Sequence, residues 1–248
     1  MPAVFVHGVP ETPAVWDALR GQLQRDDTIA LQLPGFGCPK PPGFGATKEE
    51  YVAWLVGELE EIKAQGPVDL VGHDWGAGFT VRLVSSRADL VRSWVCDGAG
   101  FGNVNFEWHD FAKVWQTPGE GEQFWTDTLA QSPEERGALY EALFGIPLAA
   151  SIELNRPVDQ TMADCILALY RSATSVGKEW SPDFHDIAKP GRVLIPSEDP
   201  FLNGDLGRAS AQRAGASITE LDGLGHWWML QDPARGAAVL EEFWATIA

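Results

Sequence analysis

The residues best able to do chemistry fall in four short motifs, beginning with Gly72-His73-Asp74-Trp75-Gly76. This motif sits between an apolar run, Val68 to Val71, and a helical pattern that starts near Ala77. Glycines at both ends permit a strained strand-to-helix turn that lifts the middle side chain above a sheet. An aspartate there stands at a helix N-terminus, where the dipole and free amides keep its carboxylate ionised. Asp74 is equally suited to be a plain helix cap, and the motif alone does not choose.

The other three motifs favour catalysis. His7-Gly8-Val9-Pro10 closes the first apolar run, so the backbone N–H groups of Val9 and Trp75 would face one point as an oxyanion hole. Gly223-Leu224-Gly225-His226-Trp227-Trp228 puts a histidine in a glycine-rich loop after the last strand signal, a setting less suited to a core or cap histidine. Pro196-Ser197-Glu198-Asp199-Pro200 offers Asp199 to hold that imidazole in one tautomer, with Asp97 as the competing acid. The chain order is nucleophile, acid, histidine.

A carboxylate nucleophile restricts the reaction. With an ordinary pKa of about 3.9 it is ionised at neutral pH without a base. Attack on an ester would give a high-energy anhydride, whereas attack on a saturated carbon bearing a leaving group gives a stable alkyl ester. Water activated by His226 would then cleave that ester. The substrate expected is small, hydrophobic and neutral, with an electrophilic sp³ carbon: an epoxide or an alkyl halide. No metal or organic cofactor is required, and the five histidines show no ligand spacing such as HExxH.

The elements that must position these residues alternate between strand and helix. Strand signals at Ala3 to Val6, Thr28 to Leu33, Val68 to Val71 and Val91 to Cys96 are interleaved with helices at Thr12 to Leu23, Lys48 to Lys63 and Ala77 to Ser86. From Gly98 to Asp186 the strands stop. Helix signals appear there at Glu122 to Gln131, after the capping box Ser132-Pro133-Glu134-Glu135, and at Val158 to Ser172. The alternation resumes with Arg192 to Ile195, Asp205 to Ala214, Ser217 to Leu221 and Pro233 to Ile247. The expected organisation is a core in two parts, 1–97 and 187–248, interrupted by a helical lid at 98–186. The fold class is α/β, a mostly parallel sheet of about six strands with helices on both faces.

Charge narrows the partners. The formal net charge is −17, from 18 Lys and Arg against 35 Asp and Glu, which repels phosphate backbones and anionic lipid. Nucleic acid and membrane partners are therefore not expected. Cys38, Cys96 and Cys165 are an odd, scattered set that reads as reduced thiols. The N-terminus lacks a signal-peptide pattern, and no stretch approaches the roughly 18 consecutive apolar residues of a membrane span. The expected location is the cytoplasm.

HGVP, GHDWG, EDP and GHWW together resemble the epoxide hydrolase and haloalkane dehalogenase branch of the α/β-hydrolase superfamily, and the resemblance covers nearly all the chain outside the lid. Members usually carry two strands before HGxP, whereas this chain begins there. That leaves Thr28 to Leu33 as an open sheet edge, covered by a partner such as a second copy or belonging to a short form.

In the epoxide hydrolases two lid tyrosines protonate the opening oxygen, one of them in a YR-type motif. Leu169-Tyr170-Arg171 resembles that motif and makes Tyr170 the proton donor; its alternative is a tyrosine packed on a lid helix. Tyr140 is the remaining lid tyrosine, with His109, Trp108, Trp115 and Trp125 as substitutes. Trp75 also stands where dehalogenases keep a halide-binding indole, but Val9 replaces the Asn of one dehalogenase group, and Trp75 and Gly78 replace arginines of the fluoroacetate dehalogenases. The resemblance thus favours an epoxide over a halide and disfavours a carboxylate substrate. A catalytically silent ligand-binding relative is the reading from another class. A serine esterase fails because the elbow holds no serine.

Overall fold

In a computed structural model, which describes residues 1–64 and 66–247, the chain forms one sheet of six parallel strands. These are β1 (Ala3–Val6), β2 (Thr28–Leu31), β3 (Val68–Gly72), β4 (Val91–Cys96), β5 (Gly191–Pro196) and β6 (Ser217–Leu221), in the order β2-β1-β3-β4-β5-β6. Strands β1, β3 and β5 are buried along their length, as parallel strands covered on both faces must be. The edge strands β2 and β6 are partly exposed.

Alternation along the strands feeds two cores. Val4, Val6 and Leu70 pack to one face with α2 (Lys48–Lys63), α3 (Trp75–Arg87) and α10 (Gly204–Ala214). Ala3, Phe5 and Val71 pack to the other, beneath α1 (Asp17–Arg20), α11 (Trp228–Gln231) and α12 (Pro233–Ala245). Six helices lie between β4 and β5: α4 (Asp110–Gln116), α5 (Glu120–Leu129), α6 (Pro133–Phe144), α7 (Leu148–Asn155), α8 (Gln160–Ser172) and α9 (Val176–Trp180). No helix among the described residues is long and apolar enough to cross a membrane.

Several boundaries differ from the expected ones for local reasons. The single helix expected over Thr12 to Leu23 is a 3₁₀ turn, Pro13–Trp16, followed by α1, which ends at Gly21. Strand β2 stops at Leu31 because the Leu33 amide donates to His7 Nε2 at 3.1 Å instead of continuing the ladder. The third expected insertion helix starts two residues late, since Asp159 accepts from the Met162 amide and caps it. Three insertion helices carried no sequence signal: α4, capped by the unusual acceptor His109 Nδ1, α7 and α9. Cys38, Cys96 and Cys165 are free thiols.

Residues His7–Pro10, His73–Gly76, Ser197–Pro200 and Gly223–Trp228 all lie beyond the C-terminal ends of strands. Strand order reverses between β1 and β3, which are sheet neighbours although β2 intervenes in sequence. Open parallel sheets bind ligands at such a reversal.

Candidate active site

Asp74 occupies the turn between β3 and α3 with φ 51° and ψ −118°, a conformation costly for a residue with a Cβ. Close packing of glycines makes the turn possible. A Cβ on Gly76 would lie 2.2 Å from the Val6 carbonyl oxygen, and one on Gly8 would lie 2.4 Å from Asp74 Oδ1. The Asp74 side chain makes no capping bond to α3. Its Oδ1 instead accepts from the Val9 amide at 2.9 Å, and its Oδ2 lies 3.8 Å from His226 Nε2. Trp75 opens α3, so its amide has no acceptor within the helix.

His226 Nδ1 donates to Asp199 Oδ2 at 2.8 Å, which leaves Nε2 toward Asp74. The other oxygen of Asp199 accepts from the amides of Phe201 and Leu202, so the loop fixes this acid. Asp97, the competing acid, has a different place from the expected one. It is buried beneath the turn, where Oδ1 accepts the Asp74 amide at 3.0 Å and Oδ2 meets His73 Nδ1 and Trp228 Nε1.

Sequence reasoning missed two members of this network, Glu11 and His73. His73 lies between two carboxylates, Asp97 on Nδ1 at 2.5 Å and Glu11 on Nε2 at 3.1 Å, so both ring nitrogens donate. Glu11 also accepts from the Gly8 amide and from Trp227 Nε1. The indoles of Trp227 and Trp228 thus bind the two carboxylates that flank His73, a structural reason for the paired tryptophans after His226. The missed signal was Glu11 itself, a lone acid straight after HGVP.

Burial and charge tune these groups against each other. Burial lifts Asp74 to about 6, opposed by His226 and His73. This corrects the expectation of an undisturbed carboxylate, although Asp74 is still mostly ionised at pH 7. Burial works to lower His226, but Asp199, its hydrogen bond and Asp74 outweigh it and raise the imidazole above its usual range. Burial also opposes charge on His73, yet Asp97 and Glu11 hold it well above the usual value as an imidazolium. Glu11, despite burial, is held at about 2 by His73. Glu11, His73 and His226 are also the one group among the described residues with ligand atoms close enough for a metal ion, within 4.8 Å of one another. His73 already spends both nitrogens on carboxylates, which leaves it no lone pair for a metal.

A cavity of about 300 Å³ opens above Asp74, lined by Val9, His226 and residues of the insertion. Both tyrosines singled out in the sequence line it. Tyr170 is buried against Trp75, Trp108 and Trp115, with ring centroids 5.5, 5.0 and 4.8 Å away. Burial and the Asp74 charge push its phenol well up, and burial and Glu11 push Tyr140 up. Both therefore stay protonated. Among the suggested substitutes, Trp108 Nε1 is committed to the Ala173 carbonyl, and His109, lowered to about 4 by burial, is neutral. Trp115 and Trp125 line the cavity with buried indole N–H groups that have no partner among the described residues. Trp75 Nε1 is likewise unpartnered, but Trp75 is not part of the cavity wall.

The family model described as "Alpha/beta hydrolase family" matches residues 3–239, and this chain belongs to that family. An epoxide hydrolase from Caballeronia sordidicola is 28% identical, across 88% of this chain and 69% of the relative. A 2-(acetamidomethylene)succinate hydrolase from Mesorhizobium japonicum is 34% identical over 93 residues, which is 37% of this chain and 33% of the relative. The crystal structure of the haloalkane dehalogenase DbeA from Bradyrhizobium elkani superposes with a TM-score of 0.73 at 18% identity, covering 99% of this chain and 91% of that one. The structural likeness establishes the fold. The class defined is a hydrolase of the α/β family with an epoxide hydrolase relative.

Proposed function

We propose that this chain hydrolyses epoxides to diols through an alkyl ester on Asp74. One observation carries the reading: a single cavity is lined by Asp74, His226 and both insertion tyrosines. The epoxide hydrolase relative that aligns along most of the chain supports it.

In the first step Asp74 Oδ2 bonds to an epoxide carbon and the ring C–O bond breaks. The released alkoxide takes the phenolic proton of Tyr170, with Tyr140 as a second donor. In the second, His226 Nε2 takes a proton from water as its oxygen bonds to Asp74 Cγ. The oxyanion forms on Oδ1, already 2.9 Å from the Val9 N–H, with the Trp75 amide as the second donor. The Cγ–Oδ2 bond breaks, the diol oxygen takes the proton from His226, and the acid left on Asp74 returns its proton to Tyr170.

The 3.8 Å between His226 Nε2 and Asp74 Oδ2 suits this chemistry, because a carboxylate needs no proton removed before it attacks. Alkylation also readies the base. Asp74 helps to raise His226 while the imidazolium of His73, with ring centroids 4.6 Å apart, lowers it. Esterification removes the Asp74 charge and leaves His73 in place, which shifts His226 toward the neutral form that the second step needs.

The second reading is haloalkane dehalogenation, favoured by the unpartnered indole N–H groups of Trp115 and Trp125 in the cavity wall. His226→Gln incubated with styrene oxide or with 1-bromobutane separates the two by mass spectrometry. The expected result is a styrene oxide adduct on Asp74 that persists. An adduct from the bromide alone selects the halide reading, and no adduct from either selects a binding protein.

A further inference from the structure

The wall of the reaction cavity has two unlike ends, joined by α6. At one end, where α5 gives way to α6, Thr128, Gln131, Arg136 and Asn155 line it, and Arg136 donates to the carbonyls of the other three. At the other end the rim is carbon. The Phe201 ring lies 6.3 Å from Phe111 and 5.4 Å from Phe144, centroid to centroid, and Leu143 precedes Phe144 on α6. Phe201 is also 5.0 Å from the His226 ring, so the apolar rim starts beside the chemistry.

Arg136, Leu139, Tyr140, Leu143 and Phe144 all line the cavity, and their spacing of three and four residues makes them one helix face about 12 Å long. Tyr140 and Phe144 turn that face inward onto Trp227, with ring centroids 5.3 and 5.1 Å away. Their neighbours stay out. Leu139 is 48% exposed and Leu143 58%, while Phe111, on α4 and lining the same cavity, is 43% exposed. Of the six large hydrophobic side chains exposed among the described residues, these three border one cavity. Such side chains scattered singly carry no message, whereas a cluster continuous with a cavity marks a surface that a ligand covers.

We infer that the substrate carries an aliphatic tail that leaves the cavity between Phe111 and Leu143 and lies along Leu139 and Leu143. The inference rests on the epoxide reading above and narrows its substrate class to long-chain alkyl epoxides. A cavity of about 300 Å³ is near the lower limit for ligand pockets, which suits a chain that continues past the opening. The rim offers methyl groups and ring faces, so a hydrocarbon chain covers it best, and each methylene laid there leaves water.

The test measures kcat/KM along the series 1,2-epoxybutane, 1,2-epoxyhexane, 1,2-epoxyoctane and 1,2-epoxydodecane, at concentrations where the longest stays monomeric. In the unsubstituted protein it is expected to rise about twofold per added methylene through the whole series, mostly by a fall in KM. In Leu139→Ser/Leu143→Ser the loss should grow with the chain and reach about tenfold in KM for 1,2-epoxydodecane. Leu139→Met/Leu143→Met keeps the apolar surface and should keep the length dependence. Leu148→Ser removes an exposed leucine outside the cavity wall and should follow the unsubstituted protein at every length. A rise that stops at 1,2-epoxyhexane overturns the tail. So does a loss equal for short and long chains, a methionine variant as impaired as the serine one, or the same loss in Leu148→Ser. Failure of the epoxide reading looks different: no member of the series gives a diol, and His226→Gln forms no adduct with styrene oxide.

Discussion

The loops at the strand ends and the helical insertion handle polar atoms in opposite ways. At the strand ends, Asp97, Glu11, His73 and Asp199 each have two or more hydrogen bonds, and all four are anchored to backbone amides, to each other or to an indole. Saturated networks of this kind hold geometry, because any displacement strands a buried polar group. In the insertion, Tyr140 and Tyr170 line the cavity, and the buried indole N–H groups of Trp115 and Trp125 have no hydrogen-bond partner among the described residues. Those donors are free for whatever the substrate brings. In the proposed reaction, bond-making falls to the rigid part, and the stabilisation of the leaving group falls to the part whose donors are unsatisfied.

Substitutions can break that division. The largest effect is expected for Asp74→Ala, which removes the bond-forming atom: turnover of styrene oxide should fall by about 10⁴ or more, while the melting transition and circular dichroism stay those of a folded protein. Unchanged turnover would end the carboxylate mechanism. Next comes Tyr170→Phe, which should cost about 10² in epoxide turnover, the usual worth of a positioned proton donor. Turnover of an alkyl halide should be unaffected, since a halide needs no proton, and Tyr140→Phe should cost less than Tyr170→Phe.

A smaller effect sharpens the comparison through pH. Asp74 must be charged to attack, and its carboxyl is raised to about 6, so the single-turnover alkylation rate should drop about tenfold between pH 7 and pH 5. An alkylation rate flat down to pH 4.5 would show that burial does not raise this carboxyl. The tyrosines remain protonated over this range and contribute no limb to the profile.

Legibility in the sequence follows the same division. Strands β4 and β6 and helix α2 match the sequence pattern residue for residue, because their apolar spacing is dictated by the sheet they join. Asp74, Asp199 and His226 were found from motifs because each sits on a short loop whose glycines and prolines are written in the chain. Helices α4, α7 and α9 were not found, since a cap made by His109 and a start after Pro147 resemble loop signals. Glu11 and His73 escaped because their significance comes from Asp97, which lies 24 residues from His73 in sequence and reaches it only across the sheet. The rise of Asp74 to about 6 escaped for the same reason, burial being a property of the assembled cavity.

The bare backbone at Gly8 has a consequence for the choice of acid. With no side chain between the β1 loop and the turn after β3, the gap is set by peptide atoms, which cannot retreat without dragging β1. A glutamate at residue 74 would carry one methylene too many for that gap, and its carboxylate would overshoot the Val9 amide. The reach of the carboxylate is therefore measured out by main chain, and aspartate is the acid whose length fits.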